Sequence, residues 1–91
     1  MNEIEKECKN ILEQEGIDIN SFIEFNVNGE VHSLTFEYII DTYMQAAYES
    51  QLVFLSALKK SINANMMGVE KFFEGMGQLL LMTHLSDKIE V

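Results

Sequence analysis

Apolar residues recur along this chain with a rhythm that changes from segment to segment. From residue 3 to 15, Ile4, Cys8, Ile11 and Leu12 fall at i, i+4, i+7 and i+8, the spacing of one narrow helical stripe. Gly16 follows where a helix commonly ends on a glycine in the left-handed conformation. The pattern predicts a first helix over residues 3–15.

The next segment, IDINSFIEFNVNGEVHSL, alternates and carries Asn28-Gly29, the strongest short hairpin signal in the chain. A hairpin is expected over residues 22–33. Two registers compete. A two-residue turn sets Val27 opposite Glu30 and Phe25 opposite His32. A three-residue loop ending in a left-handed Gly29 sets Phe25 opposite Val31 and puts both apolar side chains on one face, so it is the expected register. A lone hairpin is marginal in water, so this one must pack on helices or pair through an edge with a copy of itself.

Residues 35–63 then read as one long helix, with Ser33 or Thr35 as its N-cap. Its apolar positions, from Phe36, Ile39 and Ile40 through Phe54, Leu58 and Ile62, spread over an arc of roughly 200°, against about 100° for an ordinary surface helix. An arc that wide must touch at least two other elements. A last helix is expected over residues 65–86, with Met66, Val69, Phe72, Phe73, Met76, Leu79 and Leu80 at helical spacing and DKIEV as a frayed tail. Gly68 and Gly75 share a face of it and mark an expected close crossing or kink.

The fold class that follows is mainly α with a minor β component: a short N-terminal helix, a β-hairpin, a long central helix and a C-terminal helix in a single domain. The two wide stripes are expected to form an antiparallel helical hairpin, completed by dimerisation because a chain of 91 residues builds only a thin core. The expected oligomer interface comprises Phe54, Leu58, Met66, Phe73, Met76 and Leu80.

Charge narrows the partners. Fifteen acids face six lysines, with no arginine, for a net charge of −9. Phosphate and base-edge recognition lean on arginine, and a strongly negative protein repels nucleic acids and anionic membranes. Direct nucleic-acid or membrane binding is therefore not expected; the charge is compatible with a basic protein partner, and equally with acids that serve only to keep an apolar protein soluble. The longest apolar run, QLLLM at 78–82, is far too short to span a bilayer, and the charged N-terminus lacks the apolar core of a signal peptide. With one cysteine, an internal disulfide is impossible. A cytoplasmic location is the expectation.

No catalytic, cofactor or metal site can be assembled from the sequence. GMG at 75–77 lacks the rest of a nucleotide-binding fingerprint, and neither His32 nor His84 has the glutamate three residues earlier that a bundle di-iron site requires. Cys8, inside an apolar stripe, reads as a core residue rather than a nucleophile. Two acidic pairs, Glu37 with Asp41 and Glu70 with Glu74, each share one helical face. Tyr38 and Tyr48 fall on the polar side of the long helix. Glu37, Tyr38, Asp41 and Tyr48 form the expected partner-binding set, since tyrosines are enriched at protein interfaces.

The order helix, hairpin, helix, helix is too generic to carry a function with it. The expected function is a non-enzymatic, acidic protein–protein interaction module acting as a homo-oligomer. The first alternative is an inhibitor of a nucleic-acid-binding protein, its carboxylates standing in for phosphates; residues 1–33 hold eight acids against two lysines. A further alternative is a binder of an apolar small molecule, suggested by methionines and glycines in the last helix.

Overall fold

The computed structural model describes residues 2–64 and 68–89; Met66 and Met67 lie outside the described residues. Those residues form α1 (Glu3–Gln14), β1 (Phe22–Val27), β2 (Glu30–Thr35), α2 (Phe36–Tyr43), α3 (Tyr48–Ala64) and α4 (Gly68–Ile89). The mainly helical class with one antiparallel hairpin is as read from the sequence. None of the described helices is long and apolar enough to cross a membrane.

Local signals set several boundaries. Asn2 caps α1, its side-chain oxygen accepting from the Glu5 amide at 2.6 Å. Gly16, at φ 76°, closes the other end: its amide donates to the Glu13 carbonyl and that of Ile17 to the Leu12 carbonyl at 2.9 Å. This is the Schellman arrangement, in which a left-handed glycine satisfies the last carbonyls of a helix. Thr35 caps α2 by accepting from the Tyr38 amide. α4 continues to Ile89, past the expected end at residue 86, where no glycine or proline stops it.

The hairpin adopts the two-residue turn, not the expected three-residue loop. Phe25 pairs with His32 and Val27 with Glu30. Asn28 and Gly29 both have positive φ, 54° and 86°, which gives the turn a twist matching that of the strands. Side-chain matching across the strands gave way to turn geometry, and Val31 is left exposed as a result. β1 nevertheless buries Ile23, Phe25 and Val27 on its inner face, because α4 covers that face. β2 extends to Thr35 rather than ending at residue 33.

The expected helix over 35–63 is broken at Met44–Ala47 into α2 and α3. A straight helix of that length would run about 43 Å, longer than the 40 Å greatest extent of the molecule. The break folds the wide apolar arc around the core: Phe36, Ile39 and Ile40 are buried from α2, and Phe54, Leu55 and Leu58 from α3. No proline or glycine marks the position. Gln51, the one buried polar side chain among the described residues, holds it instead. Its Nε2 donates to the carbonyls of Met44 and Ala46, both at 2.9 Å, and its Oε1 accepts from Asn2 Nδ2 at 3.1 Å. The carbonyls freed by the break are thus paired inside the protein, as buried polar groups require.

α3 and α4 form the expected helical hairpin around an aromatic cluster. Phe54 lies 5.2 Å from Phe72 and 6.0 Å from Phe73, Phe36 meets Phe73 edge-on at 5.0 Å, and Tyr43 stacks on Phe54 at 4.9 Å. The Tyr43 hydroxyl donates to the Met76 carbonyl at 3.0 Å, and burial pushes its pKa up. The close approach is not at Gly75, which has open space around it. It occurs at Gly77, against the Phe25 ring of the hairpin.

Candidate functional site: an acidic groove beside the hairpin

The loop between α1 and β1 is held by hydrogen bonds within itself and to α2. Asp18 Oδ1 accepts from the Asn20 amide, and the Asp18 carbonyl accepts from the Ser21 amide and hydroxyl. The Ile19 and Ser21 carbonyls in turn accept from the Glu37 and Phe36 amides at the start of α2. This loop, the outer face of β1 and the exposed side of α4 enclose a groove of about 690 Å³. Asp18 comes from the loop, Glu24 from β1, and Glu70 and Glu74 from successive turns of α4, while among the described residues no lysine lines the groove. Phe22 stands at it, 68% exposed. A large aromatic ring left in water among four carboxylates is a surface suited to an amphipathic cation.

None of these four acids forms an ion pair among the described residues, in contrast to the acids of the expected partner site. Glu37 and Asp41 do share a face of α2, but Lys9 of α1 reaches between them, 3.4 Å from Asp41 and 3.9 Å from Glu37, and also lies 3.3 Å from Glu5. Burial lowers the Lys9 pKa, yet its hydrogen bonds and charge contacts with Glu5 and Asp41 outweigh that, and the net shift is upward. This acidic pair is therefore a receptor for the protein's own lysine. Tyr38 is exposed on the neighbouring side of α2, in a shallow depression with Leu34, Thr42, Leu80 and Leu81. Tyr48 is exposed at the start of α3. Glu37, Tyr38 and Asp41 thus belong to α2 and Tyr48 to α3, on either side of the break between the two helices.

The expected interface set also changes. Phe54, Leu58 and Phe73 are in the chain's own core, so in this fold they present no surface to a second copy. Met76 and Leu80 are half-buried against that core, and Met66 lies outside the described residues.

The remaining candidates have structural surroundings. Cys8 is fully buried, and burial, with a smaller contribution from Glu7 and Glu5, pushes its thiol up to about 11. A protonated, inaccessible thiol is a poor nucleophile. His32 lies beside Phe25 in the hairpin, its Nε2 3.7 Å from Glu30; the side chain of His84 lies outside the described residues. No group of three or more His, Cys, Asp or Glu among the described residues is placed to hold a metal ion.

Sequence reasoning noticed Glu70 and Glu74 as a pair but missed Asp18, Phe22 and Glu24. The alternation of β1 puts Phe22 and Glu24 on its outer face, which was legible. That α4 packs beside that strand and brings its own two acids there was not. Comparison with known protein families, curated proteins and solved structures gave no match.

Proposed function

We propose that the protein is a non-enzymatic interaction module that receives a basic segment of a partner protein in the groove between the α1–β1 loop, β1 and α4. The observation that carries this reading is the convergence of Asp18, Glu24, Glu70 and Glu74 around exposed Phe22, with no lysine lining the groove among the described residues. Lysine or arginine side chains would meet the carboxylates, and their aliphatic stems or an adjacent apolar residue would cover Phe22. A cytoplasmic setting belongs to this reading, supported by a single thiol that is buried and unpaired.

Mimicry of nucleic acid is less well supported, because part of the N-terminal acidic charge that favours it is neutralised within the chain. The acids of α1 are partly answered from within, Glu5 by Lys9 and Glu7 by Lys59 at 3.0 Å.

The test is titration with a synthetic lysine- and leucine-containing peptide, followed by backbone amide shifts. Binding is expected to weaken with added salt, because exposed charge pairs are screened. It should be lost when Asp18→Asn, Glu24→Gln, Glu70→Gln and Glu74→Gln are combined, and kept when Glu3, Glu13, Glu15 and Glu30 are all changed to glutamine. Equal weakening by the two sets, which remove the same charge, would reduce the effect to net charge and refute the groove.

A further inference from the structure

On the opposite side of α4, a second groove of about 440 Å³ runs between α3 and α4, with Val53, Ala57, Phe72 and Met76 among its walls. Val53 is 68% exposed, and Leu79, one turn further along the same side of α4 as Phe72 and Met76, is 51% exposed. The charges bordering this strip are arranged in a particular way. Glu49, Val53, Ala57 and Lys60 fall at i, i+4, i+8 and i+11 of α3, within roughly 80° of its circumference. The strip therefore runs from an acid through two apolar residues to a base, with the charged ends about 16 Å apart. Both end residues are exposed, and neither forms an ion pair among the described residues.

Such a strip is complementary to itself under two-fold symmetry. If two copies of α3 cross antiparallel, Glu49 of each faces Lys60 of the other, and Val53 of each faces Ala57. Both pairings share a centre near residues 54–55. Ala57 is small and opens onto the groove floor, which leaves space for the Val53 side chain of the other copy beside Phe72. An isologous contact of this kind satisfies each surface with its own image. In a chain of net charge −9, a strip of α3 with one acid balanced by one base lets two copies approach with less repulsion than an acidic surface would.

We propose that this face is a homodimer interface, in which a second copy of the chain lays its α3 antiparallel across the first, seating Val53 over Ala57 and pairing Glu49 with Lys60 at both ends. It lies apart from the acidic groove and leaves that groove open in each copy.

The test is mass in solution by size exclusion with light scattering over a concentration series, with circular dichroism of each variant to confirm folding. The wild-type chain is expected at twice its 10.5 kDa. Glu49→Lys or Lys60→Glu, each turning two attractions into repulsions, should raise the dimer dissociation constant about tenfold to thirtyfold. Glu49→Lys combined with Lys60→Glu should restore it, and Val53→Asp should leave a folded monomer. A wild-type monomer at every concentration would overturn the proposal. A dimer indifferent to the swaps would place the contact elsewhere and overturn it equally. A monomer that binds the apolar dye anilinonaphthalene sulfonate, and loses that binding in Val53→Asp, would reassign the groove to a small apolar ligand.

Discussion

Replacing Gly77 with alanine tests how closely α4 lies on the hairpin. A Cβ built on Gly77 would stand 2.5 Å from Cε1, 2.8 Å from Cζ and 3.1 Å from Cδ1 of Phe25. Carbon atoms rest comfortably at about 3.5–4.0 Å, so the ring or the helix must retreat by about 1 Å. Phe25 has little room to do so, because it is buried where α4 packs on the inner face of β1. Overpacking of this kind costs about 1–3 kcal/mol. Against it stands the better helix propensity of alanine, worth about 1 kcal/mol. The net expectation is a loss of up to about 2 kcal/mol, which in a domain of this size lowers the melting temperature by up to about 16 °C.

Gly75 is the control on the same helix. Nothing lies within 4 Å of a Cβ there, so Gly75→Ala should keep the full propensity gain and melt about 4–8 °C higher. Adding Phe25→Leu to Gly77→Ala should recover part of the loss, since the smaller side chain removes the colliding ring atoms. The assay is thermal unfolding by far-ultraviolet circular dichroism at one fixed protein concentration, because association would make the midpoint concentration-dependent. If Gly77→Ala melts at or above wild type, the contact between α4 and the hairpin is not as close as described and the reasoning fails.

Gln51→Ala should cost about 2–3 kcal/mol in urea unfolding, because the Met44 carbonyl, and in part that of Ala46, lose their donor inside the protein; a change within 0.5 kcal/mol, as expected for exposed Ser56→Ala, would mean that the break between α2 and α3 does not depend on it. Cys8 should resist a thiol reagent at pH 8 until the protein is unfolded, and rapid native labelling would contradict its burial. Its raised pKa also sets a pH dependence: the folded state keeps the thiol proton up to about pH 11 while the unfolded thiol loses it from 9.0, so stability present below pH 9 falls as pH rises across that window. Tyr43 and Lys9, whose pKa values are also raised, add to the fall at the alkaline end, so a shallower fall between pH 9 and 11 for Cys8→Ala than for wild type would assign the difference to this thiol, and parallel profiles would refute its share.

Much of the local structure was legible because its causes act over a few residues. Gly16 ends α1 since it alone in that stretch takes a positive φ without a Cβ, and Thr35 starts α2 since its hydroxyl reaches an amide three residues on. Asn28-Gly29 chose a turn, and the stripe Ile4–Cys8–Leu12 chose the face of α1 that is buried. The sequence by itself thus determined that the chain is mainly helical, where its hairpin turns, and which residues of the first helix face inward.

The tertiary structure decided the rest. The break at Met44–Ala47 has no local cause; it exists because a straight helix could not wrap its wide apolar arc around a core this small, and the donor that pairs its carbonyls, Gln51, is four or more residues beyond the break. The fate of each acidic pair was likewise a matter of what packed beside it. Lys9 of α1 arrived next to Glu37 and Asp41, whereas Asp18 and Glu24 arrived next to Glu70 and Glu74. Caps and turns are written in single residues, but the charge and shape of a groove belong to side chains far apart in sequence, and those are brought together only by packing.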